Sequence, residues 1–380
     1  MQRTGFASLP LHGGKAPSWL TGRMRRLSKE ISSIIIDEYG TDTFLARLSD
    51  PYWFQAFGCV LGYDWHSSGV TTVVTGVLKE ALSPEEHGIV VCGGKGKTSR
   101  KTPNDIAETT DKFGFSQNQI KTLTYTSKII AKVDNSAIQA GYQLYHHAFF
   151  ITEKAKWAVI QQGMNAESKT ARRYHWLSDT TKNFVVEPQS AIVCDTKHPN
   201  VLNMTARKSE ESRRISVDLA KEPTKKLIRL ARDATLHEER QQQTLQQWLP
   251  TAQSNLKKSL PTLTMPRNIN WIALSQAYET QPSNYEELLS IKGVGPATVR
   301  GLALIAELVY GEKPSWKDPV KYSFAYGGKD GVPYPVNRGA MDQSIKILEE
   351  TLLATKIGDV DKTRALQTLR RFVPTDAKNS

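Results

Sequence analysis

Leu288-Leu289-Ser290-Ile291-Lys292-Gly293-Val294-Gly295-Pro296-Ala297-Thr298-Val299-Arg300 is the stretch around which this chain is organised. Two apolar segments meet at a Gly-Val-Gly turn. Upstream, Ser283 as N-cap with Glu286 three residues on has the form of a capping box and predicts a helix start. Downstream, Pro296 suits a first helical position because it has no N–H to leave unpaired. Val299, Leu302, Ala303, Ile305, Ala306 and Val309 then follow along one face at helical spacing. Gly293 and Gly295 permit a tight turn and the close approach of a partner. The pattern predicts a helical hairpin whose free amides sit at a helix N-terminus, where an anion is favoured.

Such a hairpin resembles the helix-hairpin-helix motif, which grips a nucleic-acid backbone through the amides of its turn. Those contacts go to phosphate, so they position a protein without reading bases. On this reading Lys292, Gly293, Val294, Gly295, Thr298 and Arg300 form a nucleic-acid-binding surface. An ordinary helix turn with glycines at a cap would have the same local pattern. Composition favours the polyanion: 50 Lys and Arg against 38 Asp and Glu leave a net charge of +12.

The 380 residues suit roughly two domains, and 39% hydrophobic content is enough for packed cores. Cys59, Cys92 and Cys194 stand far apart with no Cys-x-x-Cys pair. That excludes a cysteine zinc site and a disulfide framework, and it fits a reducing cytoplasm. Met1-Gln2-Arg3-Thr4-Gly5 leads into no apolar leader segment, and no run approaches about 18 apolar residues, so neither secretion nor membrane insertion is expected.

Residues 17–82 read as mostly helical, with a stop at Gly40, a helix opening at Asp50-Pro51 and another from Gly69 to Leu82. From 88 the character changes. Gly88 to Cys92 reads as a strand; Ala148–Thr152 and Trp157–Gln161 flank a turn and read as a β-hairpin. Phe184–Glu187 and Ala191–Cys194 read as further strands, and Ser127 to Tyr145 as helix. The expected architecture is an α/β or α+β domain over 1–204 with a helical N-terminal part, carrying the active site. A basic helical linker over 205–267 and an all-α helix-hairpin-helix domain over 268–373 follow. The last residues, 374–380, read as a disordered tail.

Four stretches carry chemistry. In Arg3 to Lys15, small residues surround His12 and two cations, as in a packed N-terminal arm. In Asp64-Trp65-His66-Ser67-Ser68-Gly69, a carboxylate and an imidazole precede a helix, a combination suited to a metal or phosphate, although Ser68 alone would suit a cap. Gly93-Gly94-Lys95-Gly96-Lys97-Thr98-Ser99-Arg100-Lys101 combines glycines that expose amides with four cations in seven residues. It lacks the spacing of a P-loop, so a nucleic-acid phosphate is the expected ligand rather than a free nucleotide. Trp157 to Asn165 contains Gln161-Gln162 and is followed by Arg172-Arg173-Tyr174-His175-Trp176. Arginine pairs with phosphate bidentately and aromatic rings stack on unpaired bases. Asp134, Glu153, Glu187, Asp195 and Asp218 are the other acids in or near this half, and no pair of them has a diagnostic metal spacing.

Three of these motif groups together resemble one family of prokaryotic proteins, mostly archaeal and bacterial, grouped as a domain of unknown function. They are Arg3-Thr4-Gly5…Leu9-Pro10-Leu11-His12-Gly13; Asp64 to Gly69 with Gly93 to Lys97; and Gln161 to Asn165 with Ala171 to Trp176. The resemblance covers nearly the whole chain and implies an archaeal or bacterial cytoplasmic origin. It carries over no catalytic residue, so function rests on the residues themselves. They lead to a DNA-processing enzyme: a divalent-metal-dependent nuclease of repair or recombination, with Mg or Mn favoured over Zn. Asp64, His66, Lys95, Lys97, Gln161 and Gln162 are its candidate catalytic residues. Asp64 and His66 are the candidate metal ligands, and Arg100, Arg172 and Arg173 join the hairpin in binding DNA. One alternative is a non-catalytic DNA-binding accessory protein. The other is a base-excision glycosylase, disfavoured because Asn337 stands at the expected acid's place in Pro335-Val336-Asn337-Arg338 and Asp318 sits in Lys317-Asp318-Pro319.

Overall fold

Apolar runs such as Ala148-Phe149-Phe150-Ile151 have no polar face to turn to water, and a strand of that kind needs cover on both sides. The computed structural model supplies it. It describes residues 18–63, 68–194, 196–235, 264–320, 338–356 and 358–370. At its centre is an antiparallel five-stranded sheet in the order β1 (Ile89–Lys95), β3 (Gln143–Thr152), β4 (Trp157–Asn165), β5 (Thr170–Leu177) and β6 (Ala191–Val193). The short strands β2 (Ile138–Gln139) and β7 (Leu202–Asn203) pair separately. The expected α/β or α+β class thus resolves to α+β with an antiparallel sheet.

One sheet face packs against α1 (Ser18–Ser49), α2 (Pro51–Val60) and α3 (Gly69–Ala81), where Trp53, Phe54, Phe57 and Val74 meet Phe150 and Ile160. The expected stop at Gly40 is a kink inside α1, with φ 83° at that glycine. Asp50 caps α2 by accepting from Tyr52 N and Trp53 N. After the short α4 (Pro84–His87), the other face receives α5 (Thr102–Thr109), α6 (Gln117–Lys132), α7 (Glu210–Ala220) and a helix over 224–235, α8. The helices α9 (Trp271–Thr280), α10 (Tyr285–Ser290) and α11 (Pro296–Tyr310) join that second core, with Leu274, Leu289 and Leu302 in one cluster with Phe149, Val159 and Trp176. The last helices, α12 (Arg338–Ala354) and α13 (Asp359–Arg370), send Leu348, Leu352, Ala365 and Leu369 into the α1–α3 core. The described residues of 268–373, expected as one unit, therefore divide between opposite sides of the sheet.

Other expectations shift. The helix expected over Ser127 to Tyr145 ends at Lys132, passes through a wide π-turn at Val133–Ala137 and becomes strand, with Gly141 at φ 83° making the bend. Phe184–Glu187 is not a strand. The segment bends, Glu187 takes φ 44°, and Phe184 lies against the Trp157 and Trp176 rings at 6.3 and 6.4 Å. The cap of α10 moves by one residue: Asn284 accepts from Glu287 N, while Glu287 reaches back to Ser283 N and Oγ. In the basic stretch after 205, Arg213 is buried and donates to Met204 O and Ala206 O, while Arg207, Lys208 and Arg214 are exposed. Cys59, Cys92 and Cys194 are buried and none is joined in a disulfide. Among the described residues no helix is long and apolar enough to cross a membrane. The arm with His12, Asp64, His66, Asp195, the glutamine-rich part of the linker, Asn337 and the tail lie outside the described residues.

Candidate active site and nucleic-acid interface

Three strands carry a doublet of identical polar residues: His146-His147 on β3, Gln161-Gln162 on β4 and Arg172-Arg173 on β5. Because side chains alternate along a strand, each doublet sends one residue to each face. The register sets His146 opposite Gln162, Gln162 opposite Arg173, and Lys95 of β1 opposite His146. Lys95, His146, Gln162 and Arg173 thus form a row across four strands, beneath α2 and α3.

The row is tied to those helices. Gln162 Nε2 donates to Ser68 O at 2.9 Å and to the Tyr145 hydroxyl, while Gln162 Oε1 accepts from Thr71 Oγ1. Arg173 is fully buried, with Nη1 and Nη2 each 3.1 Å from Gln55 Oε1 and its guanidinium 4.7 Å over the Phe54 ring. Its Nε donates to His175 Nε2 at 2.9 Å, so His175 donates from Nδ1 to Leu48 O at 3.0 Å. Burial, and then the charge of Arg173, holds that imidazole well below its usual range. Thr75 gives its proton to Thr71 O at 2.8 Å and therefore accepts from His146 Nε2–H at 2.9 Å. His146 Nδ1 is left buried with no partner, and burial, with the nearby His147 and Lys95 charges, pushes this imidazole down to about 3.

Gln161 and Gln162, expected in one site, stand on opposite faces. Gln161 belongs to a second buried chain on the α6 side. Its Oε1 accepts from His147 Nδ1 at 2.7 Å, and His147 Nε2 accepts from Ser127 Oγ at 2.9 Å. Gln161 Nε2 donates to Asp134 Oδ2, which Trp176 Nε1 also reaches at 2.8 Å; Asp134 Oδ1 accepts from Gln189 at 2.7 Å. Burial raises Asp134 to about 7 despite these three donors and lowers His147 to about 4. Arg172, expected at the DNA, is buried too: it pairs with Asp318 at 2.7 Å and lies 4.6 Å over the Tyr142 ring. Neither arginine of the doublet is available to an external phosphate. Both are internal because β5 is covered on both sides.

The basic loop emerges at the open end of the row. Gly93 fits only as glycine: its φ is 85°, and a Cβ there would meet His147 O at 2.3 Å. Lys79 and Asp105 fasten this turn through Gly93 O and Gly93 N, at 2.9 Å each. Beyond it Lys95, Lys97, Arg100 and Lys101 are exposed and make no ion pair among the described residues; Lys95 Nζ stands 6.0 Å from the Tyr145 ring centre. Ser68 and Tyr63 flank Asp64–Ser67, so the described ends of three motifs converge at Gln162 and Tyr145. Positions of Asp64 and His66 themselves lie outside the described residues. Among those described, no group of three or more His, Cys, Asp and Glu residues could hold a metal ion.

At the helical turn, Lys292 and Gly293 are exposed, Val294 is buried and Gly295 is the N-cap of α11, with no side-chain cap. Amides of Lys292, Gly293 and Gly295 donate to nothing among the described residues. Thr298 and Arg300 face elsewhere. Thr298 is buried and accepts from Asn270 N at 3.2 Å, and Arg300 lies 5.3 Å over the Trp316 ring. Gln55, Thr75, His146 and Lys132 stand in none of the motifs read from the sequence. Only the aligned doublets signal the row, and only once the register is known.

A search of curated proteins found no match for the chain, and neither did a search of solved structures. A family model described as "Protein of unknown function (DUF763)" matches residues 5–336. That span contains the doublets, the basic loop and the helical turn, and the chain belongs to this family of proteins of unknown function.

Proposed function

We propose that the protein binds DNA through backbone phosphates, using the turn between α10 and α11 as a helix-hairpin-helix element. One observation carries this reading: unpartnered amides at exposed Lys292 and Gly293 and at half-buried Gly295, opening a 15-residue helix with no side-chain cap. Such amides at a positive helix end suit an anion, and the net charge of +12 favours a polyanion. The test is anisotropy of a labelled duplex of arbitrary sequence, with rising salt. Affinity should fall steeply as counterions are released, and Gly295→Ala should weaken it. Sequence-independent affinity that ignores both salt and this substitution would remove the reading.

A second reading is favoured by the Lys95–His146–Gln162–Arg173 row, which ends at an exposed basic loop and is bonded through Gln162 to Ser68, the residue that follows 64–67 in the chain. It makes the protein a nuclease of repair or recombination. Water attacks phosphorus, the phosphorus–oxygen bond to the leaving sugar breaks, and the leaving oxygen takes a proton. Lys95 and Lys97 would steady the reacting phosphate. A divalent ion, Mg or Mn before Zn, would be held with help from Asp64 and His66. Labelled single-stranded, duplex and branched DNA incubated with Mg²⁺, Mn²⁺ or EDTA decides it. Cleavage that needs the ion and is abolished in His66→Ala supports the nuclease. Binding without cleavage under every condition leaves a DNA-binding accessory protein.

A further inference from the structure

The turn between α10 and α11 is bonded on one side only. Its carbonyls are taken from behind by side chains of other elements. Lys132 Nζ, at the end of α6, donates to Ile291 O at 3.2 Å and to Val294 O at 2.6 Å. Asn270 Nδ2 donates to Gly293 O at 3.2 Å, and Gln139 Nε2 to Pro296 O at 2.8 Å. Four peptide carbonyls are thus held, and the two that Lys132 holds, Ile291 O and Val294 O, share their peptide units with the N–H groups of Lys292 and Gly295, which donate to nothing among the described residues. A peptide unit whose oxygen is fixed has its N–H fixed as well, because the group is planar. The half-buried ammonium of Lys132 also puts a positive charge behind these dipoles, on the side away from the anion site.

We infer that Lys132 is a positioning residue for the DNA-binding turn: it orients the amides that meet phosphate and touches no phosphate itself. This rests on the DNA-binding reading above and adds a dependence of the turn on α6 of the sheet unit. Lys132 is succeeded by the π-turn that carries Asp134, so the same short segment holds both the turn and the buried chain at Gln161.

The test uses the full chain and a labelled 20-base-pair duplex, with affinity measured across a salt series. Lys132→Met should weaken binding about tenfold, the scale of one hydrogen bond to a charged group, and leave the salt slope unchanged because no phosphate contact is lost. Lys132→Arg should recover part of the loss. Lys292→Met, which removes an exposed cation at the turn, should instead lower the slope by about one. A Lys132→Met affinity within twofold of the unmodified protein overturns the inference and leaves the DNA reading standing. A slope reduced by about one also overturns it, because Lys132 would then be a phosphate contact. If Lys132→Met does not fold, Lys132→Gln, which keeps a shorter polar side chain at the end of α6, is measured in its place, and the same two outcomes decide. No binding by the unmodified protein at low salt removes both readings.

Discussion

Asn270 and Gly293 are fitted to one another: Asn270 Nδ2 donates to Gly293 O at 3.2 Å, and a Cβ on Gly293 would lie 2.7 Å from that same nitrogen. Gly293 also has φ 91°, a region that residues with a side chain rarely adopt. Gly295 differs. Its φ of −119° suits any residue, and nothing lies nearer than 4.0 Å to a Cβ built there. Gly293→Ala should cost about 1–3 kcal/mol of stability, seen as a lower urea midpoint. Gly295→Ala should fold as before, within about 0.5 kcal/mol, and lose DNA affinity. The two glycines therefore separate fold from ligand, and a Gly295→Ala variant that binds as well as the unmodified chain would remove the hairpin reading.

At the basic loop the triple variant Lys95→Ala, Lys97→Ala, Arg100→Ala should leave the unfolding midpoint unchanged, because all three side chains are exposed. Cleavage of a labelled DNA should drop more than total binding, since the turn at Gly295 would still anchor the duplex. Equal losses of both from loop and turn variants would mean one continuous binding surface with no separate reacting end.

Arg172 and Asp318 are both fully buried at the side chain and 2.7 Å apart. Asp318 also accepts from His198 N at 2.9 Å and Val320 N at 3.2 Å. Asp318→Ala should destabilise by about 3–5 kcal/mol, because it strands a buried cation. Asp318→Asn, which keeps an acceptor, should cost less. Urea denaturation ranks the two, and a cost below about 1 kcal/mol for Asp318→Ala would show that the guanidinium finds another partner.

Burial raises the Asp134 carboxyl from 3.8 to about 7. A carboxyl raised in the folded state binds its proton more tightly there than in the unfolded chain. Its contribution to stability is full below about pH 4, the ordinary aspartate value, and is lost as the pH rises through about 7. Above that both states are ionised and the contribution is flat. The stability difference between the unmodified protein and Asp134→Asn should therefore shrink between pH 4 and pH 7 and level off beyond. A difference that grows over that interval would mean that the three donors outweigh desolvation and keep Asp134 charged.

Much of the scaffold was legible in local pattern. The run at 148–152, the turn after it and the run at 157–161 specify β3 and β4, and Pro296 marks the start of α11. Strand β5 was harder to read, because Arg172, Arg173 and His175 look like surface chemistry. They are internal because their partners come from far along the chain: Asp318 for Arg172, Gln55 for Arg173 and Leu48 O for His175. No local window contains such pairs. The split of Gln161 from Gln162 follows from two-residue alternation as soon as β4 is known to be covered on both sides. The division of 268–373 between two cores depends on which helices find which face, and that is tertiary information.

The doublets also bear on how the sheet finds its alignment. If β4 slid by one residue so that Gln161 took the place of Gln162, the row beneath α2 and α3 would present the same side chains as before, while Ile160 would replace Gln161 opposite His147. On that face the doublets cannot tell correct alignment from this slip, although every residue of β4 would have changed sides. Discrimination falls to their neighbours. Gly163 lies against Tyr142 so closely that a Cβ there would come within 2.9 Å of the Tyr142 Cβ. A slip in either direction drives Gln162 or Met164 into that contact, so a residue with no side chain proofreads the pairing of the strands that carry the most chemistry.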